Sequence, residues 1–153
     1  NNVLKSYEGK TMMLVETMSG MGKEICSNFD EMKSLWQGVQ YKERLGLCFD
    51  ICHLFAAGYD VVTPAGIRQL LEELDSKVGS QYLKLVHVND SQREMGSHID
   101  RHASIGTGHI GIEGFTNLMK NPVLKEKPFI IETPTVQEDF QTLRDIRAAL
   151  QQA

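Results

Sequence analysis

The amino-acid sequence predicts an α/β fold whose strand-and-helix units belong to a (β/α)8 barrel. Three observations lead there. Short β-rich apolar runs alternate with longer amphipathic segments. No hairpin signal separates one run from the next, which argues a parallel sheet. Each run also ends in a polar residue on one face of the strand.

The strands are read over Thr11–Glu16 (TMMLVE), Leu45–Ile51 (LGLCFDI), Tyr82–Asn89 (YLKLVHVN) and Pro128–Thr133 (PFIIET). Each is too short and too apolar for a surface helix, as expected of buried parallel strands. After the first, Ile25, Phe29, Met32, Leu35 and Trp36 recur at helical spacing, with Trp36 read as core. After the second, Thr63 caps and Pro64 starts a helix carrying Ile67, Leu70, Leu71, Leu74 and Val78, closed by Gly79. The third unit has a long polar loop over 90–111, then a short helix with Ile112, Phe115, Leu118 and Met119. The fourth ends in a helix with Val136, Phe140, Leu143, Ile146 and Leu150.

Composition bounds the class. The 153 residues carry 16 basic and 20 acidic side chains, a net charge of −4, with 41% apolar residues and four prolines. Such values describe one globular domain and disfavour a disordered tail, a collagenous repeat or a disulfide scaffold. The apolar runs fall far short of the roughly 20 residues of a membrane helix, so no membrane partner is expected. Cys26, Cys48 and Cys52 cannot all pair within one chain, and the sequence suggests a reducing, cytoplasmic compartment. Charge alone gives no basic footprint for nucleic acid.

Strand parity decides between a flat sheet and a barrel. Met12, Leu14 and Glu16 share one face, as do Gly46, Cys48 and Asp50; Leu83, Leu85, His87 and Asn89; and Pro128, Ile130 and Glu132. Each face is apolar until its last positions. A buried carboxylate or imidazole is costly unless paired or metal-bound, so four strands ending this way point to a shared metal cluster. Barrels gather such residues at their carboxyl ends, where a flat sheet would spread them. Glu16, Asp50, His87 and Glu132 offer three carboxylates and one imidazole, suited to zinc, manganese or iron. In the loops, His53 in FDICH and Asp100 with His102 in HIDRH form a second plausible set for an open zinc site. Cys48 and Cys52 beside His53 imitate a metal motif but are read as packing. His98 and His109 are read as solvated or loop-stabilising. Gly106-Thr107-Gly108 lacks the strand-then-helix setting of a phosphate loop and is read as a turn.

Together, LCFDICHLFAAGYD, LVHVNDSQREMGSHIDRHASIGTGHIG and PFIIET resemble the endonuclease IV family, zinc-dependent apurinic/apyrimidinic endonucleases of base-excision repair. The resemblance covers nearly the whole chain and implies a TIM barrel holding three zinc ions. By it, Glu16 would bridge two zincs, Asp50, His87 and Glu132 would complete the second site, and His53, Asp100 and His102 would hold the third. Glu16 and Glu132 would be the catalytic carboxylates, Glu132 orienting or deprotonating the attacking water, and Arg101 would face DNA phosphate. The implied substrate is double-stranded DNA with abasic sites, and the complete enzyme is expected to be a monomer.

The first zinc of that family needs two histidines from earlier strands, whereas no histidine precedes His53 here. Residues 1–153 are therefore expected to be the C-terminal portion of a single TIM-barrel domain, supplying about the last four βα units. The methionines of TMSGMG depart from a more polar family pattern. Two other readings stay open: a xylose-isomerase-like sugar isomerase or epimerase, which uses similar strand-end ligands but has no need of His53, Asp100 and His102, and a half-barrel needing its N-terminal half.

Overall fold

The computed structural model describes residues 1–152. A four-stranded parallel sheet forms from β1 (Met13–Glu16), β2 (Leu45–Asp50), β3 (Leu83–His87) and β6 (Phe129–Ile130), in the order β1-β2-β3-β6. Five helices follow in sequence around it after the N-terminal α1 (Asn2–Ser6): α2 (Phe29–Gly38), α3 (Ile51–Ala56), α4 (Pro64–Lys77), α5 (Gly111–Lys120) and α6 (Val136–Gln151). The long loop after β3 contains a two-stranded antiparallel hairpin, β4 (Asp90–Ser91) with β5 (His102–Ala103). The four parallel strands are those expected from the period-2 runs, trimmed at their ends. The hairpin is an addition to that expectation, because two-residue strands are too short to carry a period.

The core lies between the sheet and its helices. Leu47, Phe49, Val86 and Val88 point from the strands into a cluster with Phe29, Met32, Ile67, Leu70, Leu74, Phe115 and Leu118, all essentially inaccessible. Local signals set the helix ends. Thr63 accepts a hydrogen bond from the Gly66 N–H at 3.0 Å ahead of Pro64, and Asn28 accepts from the Glu31 N–H at 2.9 Å, each satisfying an amide that the first helical turn leaves free. Because Asn28 is the cap, α2 begins at Phe29, and Ile25 lies outside it and is 66% exposed.

The opposite face of the sheet is only half covered. Leu14 and Leu85 are half-buried, and Ile130 at the far edge is 44% exposed. Four strands cannot enclose the layers of side chains that fill an eight-stranded barrel, so the expected inner face is present but open. In α6, Val136 and Phe140 are exposed, while Leu143 and Ile146 are buried.

Candidate metal centre

The parallel register brings the polar strand ends level. Glu16 lies opposite Cys48, and Asp50 opposite His87. β2 then passes directly into α3, so that Asp50 is both the last strand residue and the helix cap, its Oδ1 accepting from the His53 N–H at 3.0 Å. That cap carries His53 into the site within the first helical turn. The β4–β5 hairpin pairs Ser91 with His102 and so returns the long loop over the sheet end.

Two clusters result. In the first, His87 Nδ1 stands 3.0 Å from Glu132 Oε2, 3.2 Å from Glu16 Oε1 and 3.7 Å from Asp50 Oδ2. In the second, Asp100 meets both other histidines, Oδ2 lying 3.2 Å from His53 Nε2 and Oδ1 3.2 Å from His102 Nε2. Asp50 joins the two, since its Oδ2 is also 3.8 Å from His102 Nε2. All seven residues expected to be ligands are thus brought together. Arg101 stays exposed between two of them, its Nη1 donating to the Asp100 carbonyl at 2.6 Å.

The donor set fits a cation. His53 Nδ1 is 2.8 Å from the Thr17 carbonyl, and His102 Nδ1 is 3.1 Å from the Glu132 carbonyl. A carbonyl only accepts, so both Nδ1 atoms carry a hydrogen and both rings turn Nε2 inward. Each Nε2 faces an Asp100 carboxylate oxygen, which only accepts, so a positive charge belongs between them, carried by a ring proton or by a bound cation. His102 Nε2 is accordingly a buried nitrogen with no hydrogen-bond partner among the described residues. An imidazole fixed by a carbonyl on its far nitrogen, with its other nitrogen turned toward carboxylates, is the usual arrangement of a metal-bound histidine.

The electrostatics agree. Burial alone would raise the Asp50 carboxyl, but His87, His53 and His102 outweigh it and hold the group below the usual range. The His87 imidazole is pushed up to about 9, first by Asp50 and then by Glu16 and Glu132 against the effect of burial. Glu16 moves upward because burial, Asp50 and Glu132 together exceed the pull of His87 and His53. The Cys48 and Cys52 thiols, each within reach of two ligand atoms, are raised to about 12, chiefly by burial. They are neutral thiols at physiological pH, in keeping with a packing role.

Behind the ligands stand residues whose part was not visible in the sequence. Asp90 is fully buried, and its carboxylate accepts from the backbone N–H groups of Ser91, Gly106, Gly108, Ile110 and Gly111 at 2.8–3.4 Å. The Gly106-Thr107-Gly108 segment is indeed a turn, wound round this carboxylate. A Cβ at Gly108 would come within 2.3 Å of the Ser91 carbonyl oxygen, and Gly106 has φ +84°, a left-handed conformation that glycine adopts without strain. The signal of this arrangement in the sequence is an aspartate directly after a buried strand, followed by closely spaced glycines. His98, expected to be solvated or loop-stabilising, is exposed and holds the Ser19 carbonyl through Nδ1 at 3.0 Å.

Parallel βα units with a carboxylate and imidazole cluster across their carboxyl ends define a TIM-barrel protein with a metal-type site. Residues 6–152 match the sequence model of the xylose isomerase-like TIM barrel, and the chain belongs to that family. Within it, the chain is 44% identical over 148 residues to a probable endonuclease 4 of Chloroflexus aurantiacus, covering 95% of this chain and 52% of that protein. It is 42% identical over 141 residues to a probable endonuclease 4 of Clostridium botulinum, covering 92% and 50%. Its fold superposes on the crystal structure of endonuclease IV from Thermus thermophilus with a TM-score of 0.77 at 38% identity, covering 93% of this chain and 51% of that one. The chain spans about half the length of the curated relatives it matches.

Proposed function

We propose that these residues are the C-terminal portion of a zinc-dependent DNA-repair endonuclease that hydrolyses the phosphodiester 5′ to abasic sites in double-stranded DNA, leaving a 3′-hydroxyl. The observation that carries the reading is the pair of Nε2 atoms of His53 and His102 facing Asp100, set beside the Glu16, Asp50, His87 and Glu132 cluster. A sugar isomerase would need only Glu16, Asp50, His87 and Glu132. The similarity to probable endonuclease 4 proteins supports the same reading.

Glu16, Asp50, His87 and Glu132 would hold one zinc, and His53, Asp100 and His102 another, with Glu16 shared toward a further zinc whose two histidines are not in these residues. Bound zinc supplies an acidified water and neutralises charge on the phosphoryl group. About six positive charges from three zincs would reverse the local effect of a chain whose net charge is −4. Glu132, the most exposed carboxylate of the cluster, faces His87 at 3.0 Å and would orient the attacking water and receive its proton. The cationic, exposed Arg101 would take a DNA phosphate. We read the complete protein as a cytoplasmic monomer; no helix among the described residues is long and apolar enough to cross a membrane.

Elemental analysis should give about two zincs per chain for these residues, one for each ligand set. Cleavage of a duplex carrying a synthetic abasic site is expected once the N-terminal half is supplied. In that complete protein, Glu132→Gln should keep zinc content nearly intact and lower cleavage by about 10²–10⁴-fold, the range of a lost general base. Unimpaired cleavage would remove Glu132 from this role, and turnover of a ketose or aldose without DNA cleavage would overturn the reading as a whole.

A further inference from the structure

One buried amide ties three strand ends together at the level of the ligands. Asn89 lies two residues past His87 on the same face and is 0% exposed. Its Nδ2 donates to Asp50 Oδ2 at 2.7 Å, and its Oδ1 accepts from the Glu132 backbone N–H at 2.8 Å. The last backbone rung between these strands is the Val88 N–H to the Ile130 carbonyl at 2.8 Å. The Asn89 side chain therefore takes the place of the next rung, beyond the end of β6.

We propose that Asn89 is a positioning residue for the metal cluster. It fixes the rotation of the Asp50 carboxylate from one side and the height at which Glu132 leaves its strand from the other. Asp50 Oδ1 is committed to the His53 N–H and Oδ2 to Asn89. Each oxygen has two lone pairs, so the carboxylate is held at both ends and still offers one lone pair per oxygen to a cation. A neutral amide suits this place, since it donates without charge. A lysine or arginine would substitute for the cation, and a carboxylate would repel Asp50. Thr17, directly after β1, completes the alignment, its Oγ1 accepting from the Asp50 N–H at 2.9 Å.

The inference rests on the metal-centre reading above, and its test does not depend on the identity of the substrate. Asn89→Leu and Asn89→Asp would be made in the full chain. Zinc affinity would be measured by competition with a chromogenic chelator, and coordination by the visible absorption of the cobalt(II)-loaded protein. Asn89→Leu, which removes both bonds, should weaken zinc binding by about 10–100-fold, as loss of a ligand's hydrogen-bond partner does. Asn89→Asp keeps an acceptor for Glu132 but no donor for Asp50, and should shift the cobalt bands. Should the leucine variant fail to fold, the bands of the aspartate variant decide. Parent zinc affinity and parent cobalt bands in the folded variants, with only the melting temperature lowered, would show a merely structural amide and overturn the proposal. Weakened zinc binding in a protein whose completed parent cleaves no abasic duplex would overturn the endonuclease reading and leave this one standing.

Discussion

At the scale of single residues, the imidazole of His87 stands where three carboxylates converge, and in the metal-free protein a proton must do part of a cation's work. Its folded pKa of about 9 lies above the ordinary 6.5. A group raised on folding stabilises the fold fully below its unfolded pKa, and that contribution is lost as pH rises through the folded value. The metal-depleted chain should therefore melt at progressively lower temperature between pH 6.5 and about 9, whereas on the zinc reading proposed above the zinc-loaded chain, with the cation in the proton's place, should not. A flat profile for the depleted protein in thermal scans would contradict this placement of His87. Glu16, raised by burial, acts in the same direction at acid pH, and Asp50, held low by its histidines, acts in the opposite one.

At the scale of elements, the β4–β5 hairpin depends on Asp90. The substitution Asp90→Asn would turn an NH2 group toward backbone donors and leave some of them buried and unpaired, at about 1–3 kcal/mol for each. Hydrogen exchange should report it: the amides of Gly106, Gly108 and Ile110 should lose protection while those of β2 keep theirs, and uniform exchange across the chain would mean that Asp90 serves the fold in general. This element also marks where the sequence stopped being readable. The strand faces with Glu16, Asp50, His87 and Glu132 were legible because a period of two survives in any strand long enough to show it. Thr17 and Asp90 were not, and Asn89 was legible only as a member of its strand face, since each acts through a partner distant in sequence. Val136 and Phe140 fitted a helical period and yet are exposed, because periodicity gives the apolar face and says nothing of whether another element covers it; Ile25 fitted the period too, but the Asn28 cap leaves it outside α2.

At the scale of the molecule, the sheet ends in two unpaired edges. Met13 on β1 is 43% exposed and Ile130 on β6 44%, with Phe140 of α6 at 55%. Exposed parallel edges beside apolar surface invite pairing. The 153 residues alone should bind an apolar-surface dye strongly and associate as concentration rises in sedimentation experiments. Ile130→Lys combined with Phe140→Lys should reduce both effects, and adding the complementary half as a separate polypeptide should quench the dye. A sharp monomer at every concentration with little dye fluorescence would show that the open face is less adhesive than its composition indicates.

The register that brings Glu16 beside His87, and His87 beside Glu132, also orders events during synthesis. Glu132 is the last of the seven to leave the ribosome, and contacts this distant in sequence close late. Until β6 docks, Glu16 and Asp50 have only part of their shell. On the zinc-endonuclease reading proposed above, a nascent chain would complete this ligand set only once Glu132 has emerged and β6 has docked, so cellular zinc supply would bear on the yield of folded protein.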